Sequence, residues 1–361
     1  MSERRSQIVA EVLLVAVAAV WGWTFVMVKD AVALYPTLQF LALRFGLAAC
    51  VVGLVVAGGR LRRRGRPAAR GAAADTGLLP LVVEGPSAPM PAVRARPAGP
   101  GGSSGRAPVG RFFRGALGGG ALMGLALGAG YMFQTFGLER TTASNAGFIT
   151  GMMVVLVPVL QGLVWRTWIR GGALAGVLLA AVGLYLLSGG ASGLRLVGDG
   201  LVFLCAVTFA AHILLTSVYA GGHEASVLTF VQLATVAVLT TVLAVGGALT
   251  GLSPALALPR EPSVLFSLAV TGVLASAVAF YVQTFAQKHA PPTRTAVILT
   301  MEPVFAGVFG YLLADERLGV AGWIGAGLIL AGMVASELVS ARSLGRRSAL
   351  DGAMRRPQSR P

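Results

Sequence analysis

The chain of 361 residues is 55% hydrophobic and only 12% charged, with a mean hydropathy of +0.77. Soluble domains carry about 25% charged residues, so that class is excluded. The net charge of +15 is explained by basic loops held on one membrane face against anionic headgroups, without a nucleic-acid partner.

The apolar runs are continuous rather than alternating, and each approaches the ~20 residues a helix needs to cross a bilayer. This predicts an all-α polytopic membrane protein with ten transmembrane helices. Helix 1, 8–28, follows Arg4 and Arg5. Its Ala16-Val17-Ala18 has the outline of a cleavable signal peptide, but the run continues through Trp21 and Trp23 to spanning length, so it is read as a helix. Glu11, about one turn in, is expected to snorkel at the interface. Trp21 and Trp23 lie past the centre and face nearly opposite sides, so one is a candidate stacking surface for a substrate.

Helix 2, 37–57, carries Arg44 near its centre, either as a clamp for a carboxylate or as a fixed counter-charge. The connection 58–114 is rich in Arg, Pro, Gly and Ala and reads as a disordered basic cytoplasmic loop. Helices 3, 4 and 5 follow at 115–136, 143–165 and 172–188, then helices 6 to 10 at 200–219, 226–246, 263–285, 293–313 and 320–339. A second disordered basic segment, 341–361, forms a tail.

These helices repeat. Gln134-Thr135-Phe136 recurs 149 residues later as Gln283-Thr284-Phe285, and Gly176 and Gly183 recur as Gly325 and Gly332 at the same offset. Pro158 answers Pro303 at an offset of 145, a difference of four residues, close to one helical turn. Helices 3, 4 and 5 thus map on to 8, 9 and 10. Each copy, 1–57 with 115–190 and then 198–340, holds five helices, and an odd number makes the two repeats inverted. The glycines are expected to let helices 5 and 10 approach their neighbours closely. With the N-terminus inside, 23 of the 29 Lys and Arg residues fall in internal segments, so both termini are expected to be cytoplasmic.

Ionisable groups at bilayer depth are costly and mark function. Glu302 sits near the centre of helix 9, and Pro303 after it frees a backbone carbonyl near Ile298. A carboxyl there can take up and release protons, or can tie helix 9 to a basic partner; the sequence leaves open whether that partner is Arg44. His212, mid-helix 6, is either a titrating group or a hydrogen-bonded core histidine. Asn145, Gln161 and Gln232 suit helix bridging, and Asn145 is also a candidate for substrate binding or coupling. Gln134 and Gln283, repeat mates expected near opposite membrane faces, are candidate gate residues. Cys50 and Cys205 lie in spans and behave as small apolar residues.

Several segments carry a family resemblance. Val20-Trp21-Gly22-Trp23-Thr24-Phe25-Val26 with Lys29, Leu43-Arg44-Phe45, Thr142-Ala143-Ser144-Asn145-Ala146-Gly147-Phe148-Ile149, and Glu302-Pro303-Val304-Phe305 with Glu316 and the glycine-rich 322–332 run resemble the EamA family of the drug/metabolite transporter superfamily. The long 58–114 insert departs from the family's usually short connection. The resemblance implies ten helices in two inverted repeats around a central cavity, alternating between inward- and outward-open states. It also implies export of an amino acid, related metabolite or drug-like compound across the cytoplasmic membrane, with protons as a coupling candidate. The partners expected are a small-molecule substrate and membrane lipids; the oligomeric state is left open.

An enzyme is not expected. The three histidines, His212, His223 and His289, lie in separate segments without ligand spacing, no GxxxxGK[ST] sequence occurs, and no cofactor or metal is called for. A channel or lipid flippase on the same inverted repeat is the alternative to a carrier.

Overall fold

Apolar runs in lipid satisfy their backbone groups by closing into helices. The computed structural model describes residues 3–64, 115–141, 143–166, 172–187, 195–313, 319–332 and 335, and all regular structure among them is helical. In chain order these are α1 (Glu3–Leu34), α2 (Thr37–Arg64), α3 (Ala116–Leu138), α4a (Ala143–Gly151), α4b (Met153–Trp165) and α5 (Gly172–Leu187). Then follow α6 (Leu196–Ala220), α7 (Ala225–Leu249), α8 (Pro262–Ala286), α9a (Pro292–Leu299), α9b (Met301–Leu313) and α10 (Val320–Gly332). Among the described residues six helices, α1, α2, α3, α6, α7 and α8, are long and apolar enough to cross a membrane. The spans expected at 143–165, 172–188, 293–313 and 320–339 are represented by shorter or interrupted helices.

One interruption has a local cause. Proline lacks an N–H and crowds the carbonyl four residues back. α9 breaks at Thr300, upstream of Pro303, whereas α4 breaks at Met152 and Pro158 lies inside the continuous α4b, so its proline does not account for that break. The carbonyl that Pro303 crowds is that of Leu299, one residue beyond the position expected from sequence. At the break the Thr300 hydroxyl turns back to donate to Val297 O at 2.5 Å. α8 departs differently: residues Val270–Val278 form a π-helix in mid-span. Gly272 lies in this segment, where an added Cβ would stand 3.2 Å from Arg44 O and 2.9 Å from Leu47 Cδ2 on α2.

α2 also runs past the expected end at Ala57 to Arg64, so Arg60, Arg62 and Arg63 are helical rather than part of the loop. Arginine is a good helix former, and a helix already under way extends readily through such residues. The expectations of disorder for the rest of 58–114 and for 341–361 fall outside the described residues.

Side-chain contacts tie the helix ends together, several of them across the two halves of the chain. The α1–α2 turn meets the α7–α8 connection, where Tyr35 Oη donates to Ala257 O and Gln39 Nε2 to Pro254 O and Ala255 O. Thr37 Oγ1 donates to Glu139 at 2.6 Å at the same end. At the opposite end Lys288 Nζ donates to His223 O at 2.7 Å, and Thr293 Oγ1 to Gln161 Oε1 at 3.1 Å. Arg294 meets Glu11 there at 2.8 Å. Glu11 is therefore ion-paired to α9a rather than snorkelling alone, because the N-terminal turns of α1 and α9a pack together.

Neighbours recur when α1–α5 are exchanged for α6–α10. α3 lies along α6 as α8 lies along α1, α3 touches α7 as α8 touches α2, and α4 packs on α6 as α9 packs on α1. The glycine repeat meets itself. An added Cβ on Gly183 would stand 2.6 Å from Gly325 O, and one on Gly332 would stand 2.6 Å from Gly176 O. Another close seam is α1 on α9b, where a Cβ on Gly22 would stand 2.7 Å from Glu302 O and 2.8 Å from Phe305 Cβ.

Backbone atoms cannot swing aside, so Gly22→Val is expected to cost about 1–3 kcal/mol of stability or more. The midpoint of heat-induced aggregation in detergent should fall accordingly. Gly46→Ala, where the added Cβ meets nothing within 4 Å, should leave that midpoint unchanged or raise it.

Candidate functional site

The Gly22 contact aims the tryptophans that flank it. Trp21 turns toward the molecular centre, where its indole N–H donates to Ala275 O in the π-segment at 2.8 Å and its ring lies 5.2 Å from Phe280. Trp23 turns the other way, on to Phe309 at 6.4 Å. Trp21 is one wall of a cavity of about 40 Å³, enclosed by α1, α3, α4b, α6, α8 and α9. That volume holds a few water molecules. A metabolite enters only if the helices part.

Three more aromatic residues, Tyr131, Phe209 and Phe280, line the cavity. Tyr131 stands 5.3 Å from Phe209 and 6.1 Å from Phe280, both edge-on. The sequence reading passed over all three. A signal existed: Tyr131 and Phe280 are 149 residues apart, the repeat offset. They also precede Gln134 and Gln283 by three positions, which puts each aromatic on its glutamine's helix face.

The polar lining comes from Gln134, His212, Gln283 and Glu302. Gln134 Nε2 donates to Thr150 Oγ1 at 3.3 Å. His212 Nε2 pairs with Gln232 Oε1 at 2.8 Å, and Gln232 Nε2 donates in turn to Thr284 Oγ1 at 3.1 Å, so three helices fix the ring. Gln283 Oε1 is buried without a hydrogen-bond partner. Gln134 and Gln283, expected near opposite faces, thus line one common cavity, since position along a helix fixes depth only when the helix tilt is known.

Glu302 stands at the second position of α9b, directly after the break. It is partly exposed to the cavity, and among the described residues its carboxylate has no hydrogen bond or ion pair. Arg44 is 2% exposed and does not line the cavity. Its Nε donates to Ser276 Oγ at 2.9 Å and Nη2 to Tyr131 Oη at 3.3 Å. The guanidinium also covers the Tyr131 ring at 4.7 Å and approaches Phe45 at 5.3 Å. Arg44 and Glu302 lie within electrostatic range of each other but form no ion pair among the described residues, while Arg44 contacts Tyr131 directly. Asn145 lies in the first turn of α4a, and its side chain falls outside the described residues.

A second hollow of about 430 Å³ lies at the α1–α2 turn, bordered by Tyr35, Gln39, Phe136, Glu139 and Ser253. It adjoins the end of α3, and its polar groups are tied to one another, Thr37 to Glu139 and Tyr35 to Gln39.

A multi-pass helical membrane protein whose helices wall a polar, aromatic-lined cavity has the construction of a solute transporter. A family model described as the EamA-like transporter family matches residues 108–189 and 196–336, and the chain belongs to that family. A protein of Archaeoglobus fulgidus described as an uncharacterized transporter is 36% identical over 216 residues, covering 60% of this chain and 67% of that protein. A solved crystal structure shares the fold with a TM-score of 0.64 at 16% identity, covering 92% of this chain and 98% of the other.

Proposed function

We propose that the chain is a secondary transporter that exports a small metabolite, an amino acid, related metabolite or drug-like compound, across the cytoplasmic membrane by alternating access coupled to protons. The observation that carries this reading is Glu302, a carboxylate without a hydrogen bond or ion pair among the described residues, facing a cavity built by α1, α3 and α4b from one half and α6, α8 and α9 from the other. An ionisable group in that setting is expensive unless it works.

The cavity's small volume favours a carrier, which opens to one side at a time, over a continuous channel. In this reading the chain crosses ten times as two inverted halves, 1–57 with 115–190 and 198–340. The reciprocal neighbour pairs and the crossed glycine contacts of α5 and α10 support it. Trp21 is a binding surface, Glu302 the coupling group, Gln134 and Gln283 are gate residues on the wall of the common cavity, and Arg44 is a buried counter-charge. Trp23, on Phe309, holds α1 to α9b.

Reconstituted vesicles challenged with amino acids, drugs and phosphorylated sugars, with and without a pH gradient, test the reading. It fails if no solute moves faster than through protein-free vesicles. Topology is checked separately. Reporter fusions at Ser2 and Pro361 should both report the cytoplasm, and opposite faces would refute ten spans with this polarity.

A further inference from the structure

We infer that Glu11 and Arg294 form a latch that holds the molecule closed at the end carrying the N-terminus, and that the cavity opens there only when the pair parts. The inference rests on the alternating-access reading above and adds to it the device that sets the resting state.

The polar ties at that end are of two kinds. Gln287 Nε2 donates to Ile213 O at 2.8 Å and to Ser217 Oγ at 2.9 Å, and Lys288 Nζ donates to His223 O, all within the second half of the chain. These can persist while the halves separate. Two others cross between the halves, and they start from adjacent residues in the first turn of α9a: Thr293 to Gln161 on α4b, and Arg294 to Glu11 on α1. Opening this end must break both. The ion pair is the stronger hold, with Nη2 and Oε1 2.8 Å apart and the Arg294 and Glu11 side chains only 9% and 20% exposed. Charges so little hydrated lose their compensation when they separate, until water enters.

The position suits a gate. Glu11 lies ten residues before Trp21, and Arg294 eight before Glu302. At 1.5 Å per residue the pair stands roughly 12–15 Å along the helices from two walls of the cavity. α9a is a buried rod of 8 residues, broken from α9b at Thr300, two residues before Glu302. A rod with a break at its inner end can tilt without bending the helix beyond, because hinges need only a few element-terminal residues. Tilting carries Arg294 off α1 and moves Leu299, which lines the cavity.

The repeat supplies a comparison at the other end. Asp199 precedes Phe209 by ten residues as Glu11 precedes Trp21, and both aromatics wall the cavity. α4a lies against α6 as α9a lies against α1. By the 149-residue offset Arg294 answers Asn145, so the mirror position has no arginine. Asp199 accepts instead from Thr141 Oγ1 and from the Arg195 N–H. Tyr35 and Gln39 add further neutral donors at that end. Opposite charges hold one end and neutral hydrogen bonds the other, so the two closed states differ in energy. The resting protein should favour closure at the Glu11–Arg294 end.

The test places a cysteine on the cavity wall, Met153→Cys, in a Cys50→Ala, Cys205→Ala background. Its labelling by a membrane-impermeant methanethiosulfonate is followed in membrane vesicles of both orientations. With the pair intact, labelling from the face that carries the N-terminus should be slower than from the other. Glu11→Gln and Arg294→Gln should each speed labelling from that face alone by about tenfold or more, since the open population sets the rate. The exchanged pair, Glu11→Arg with Arg294→Glu, should return the rate toward the parent's. Glu11→Asp keeps the charge and shortens the reach, so its rate should fall between; it serves where a neutral variant does not elute as a folded monodisperse species. Unchanged rates, rates raised equally from both faces, or an exchanged pair as fast as the neutral variants overturn the latch. A lower thermal midpoint without a sided change in labelling makes the pair structural, which also overturns it. If both faces reach the cysteine whatever the pair's charge, the latch alone is wrong. If neither face reaches it in any variant, the transporter reading falls with it.

Discussion

Glu302→Gln removes flux driven by a pH gradient while leaving the protein folded in the membrane. Glutamine keeps the side chain's shape and polarity but cannot ionise, so the change isolates the charge. If proton and solute compete for this carboxylate, each depends on it for its binding energy, and the coupling between them vanishes together. Initial rates in reconstituted vesicles should fall at least about tenfold, which corresponds to ~1.4 kcal/mol lost from a single linked step. Residual flux should be indifferent to pH on either side. A variant that keeps the parent's pH profile removes Glu302 from the mechanism, whatever its rate.

Arg44→Leu should be the most damaging single change to stability. It strands the Ser276 and Tyr131 hydroxyls, empties the space over the Tyr131 ring and leaves Glu302 without its nearby opposite charge. Breaking a buried charged network in this way costs about 3–5 kcal/mol. Tyr131→Phe alone removes one hydroxyl and should cost about 1–2 kcal/mol. The double variant should lose less than the sum, with a coupling of about 0.5–3 kcal/mol, because the two residues share one interaction. Additive losses, measured by thermal unfolding in detergent, would mean that Arg44 and Tyr131 do not support each other.

The residues that the sequence singled out were those that stand out chemically against an apolar chain. Glu302, His212, Gln134 and Gln283 are polar where neighbours are not, and all four line the central cavity with Trp21. Phe209 and Phe280 carry no such contrast, since aromatic residues in a membrane helix also face lipid and other helices. Tyr131 and Phe280 could have been found through the repeat, because that pattern relates cavity positions without reference to polarity. What no pattern revealed was tertiary. That Arg44 sits behind Tyr131 depends on how α2, α3 and α8 converge, and the pairing of Glu11 with Arg294 joins residues 283 apart in sequence. The π-segment of α8 was equally silent, since Val270–Val278 contains no proline to announce it.

The crossed glycine contact between α5 and α10 bears on how the molecule can move. There, main chain lies directly on main chain, with Gly183 against Gly325 and Gly332 against Gly176. The closest approaches in this seam are to backbone, with the Ile329 and Leu179 side chains beside them, so few rotamers have to rearrange there. The two rods can roll over each other through small angles at little energetic cost, whereas the aromatic walls of the cavity must separate or stay shut. In the alternating-access reading proposed above, such a close seam on one flank would serve as the pivot, and a bulky residue at Gly183 or Gly332 would jam it without touching the chamber.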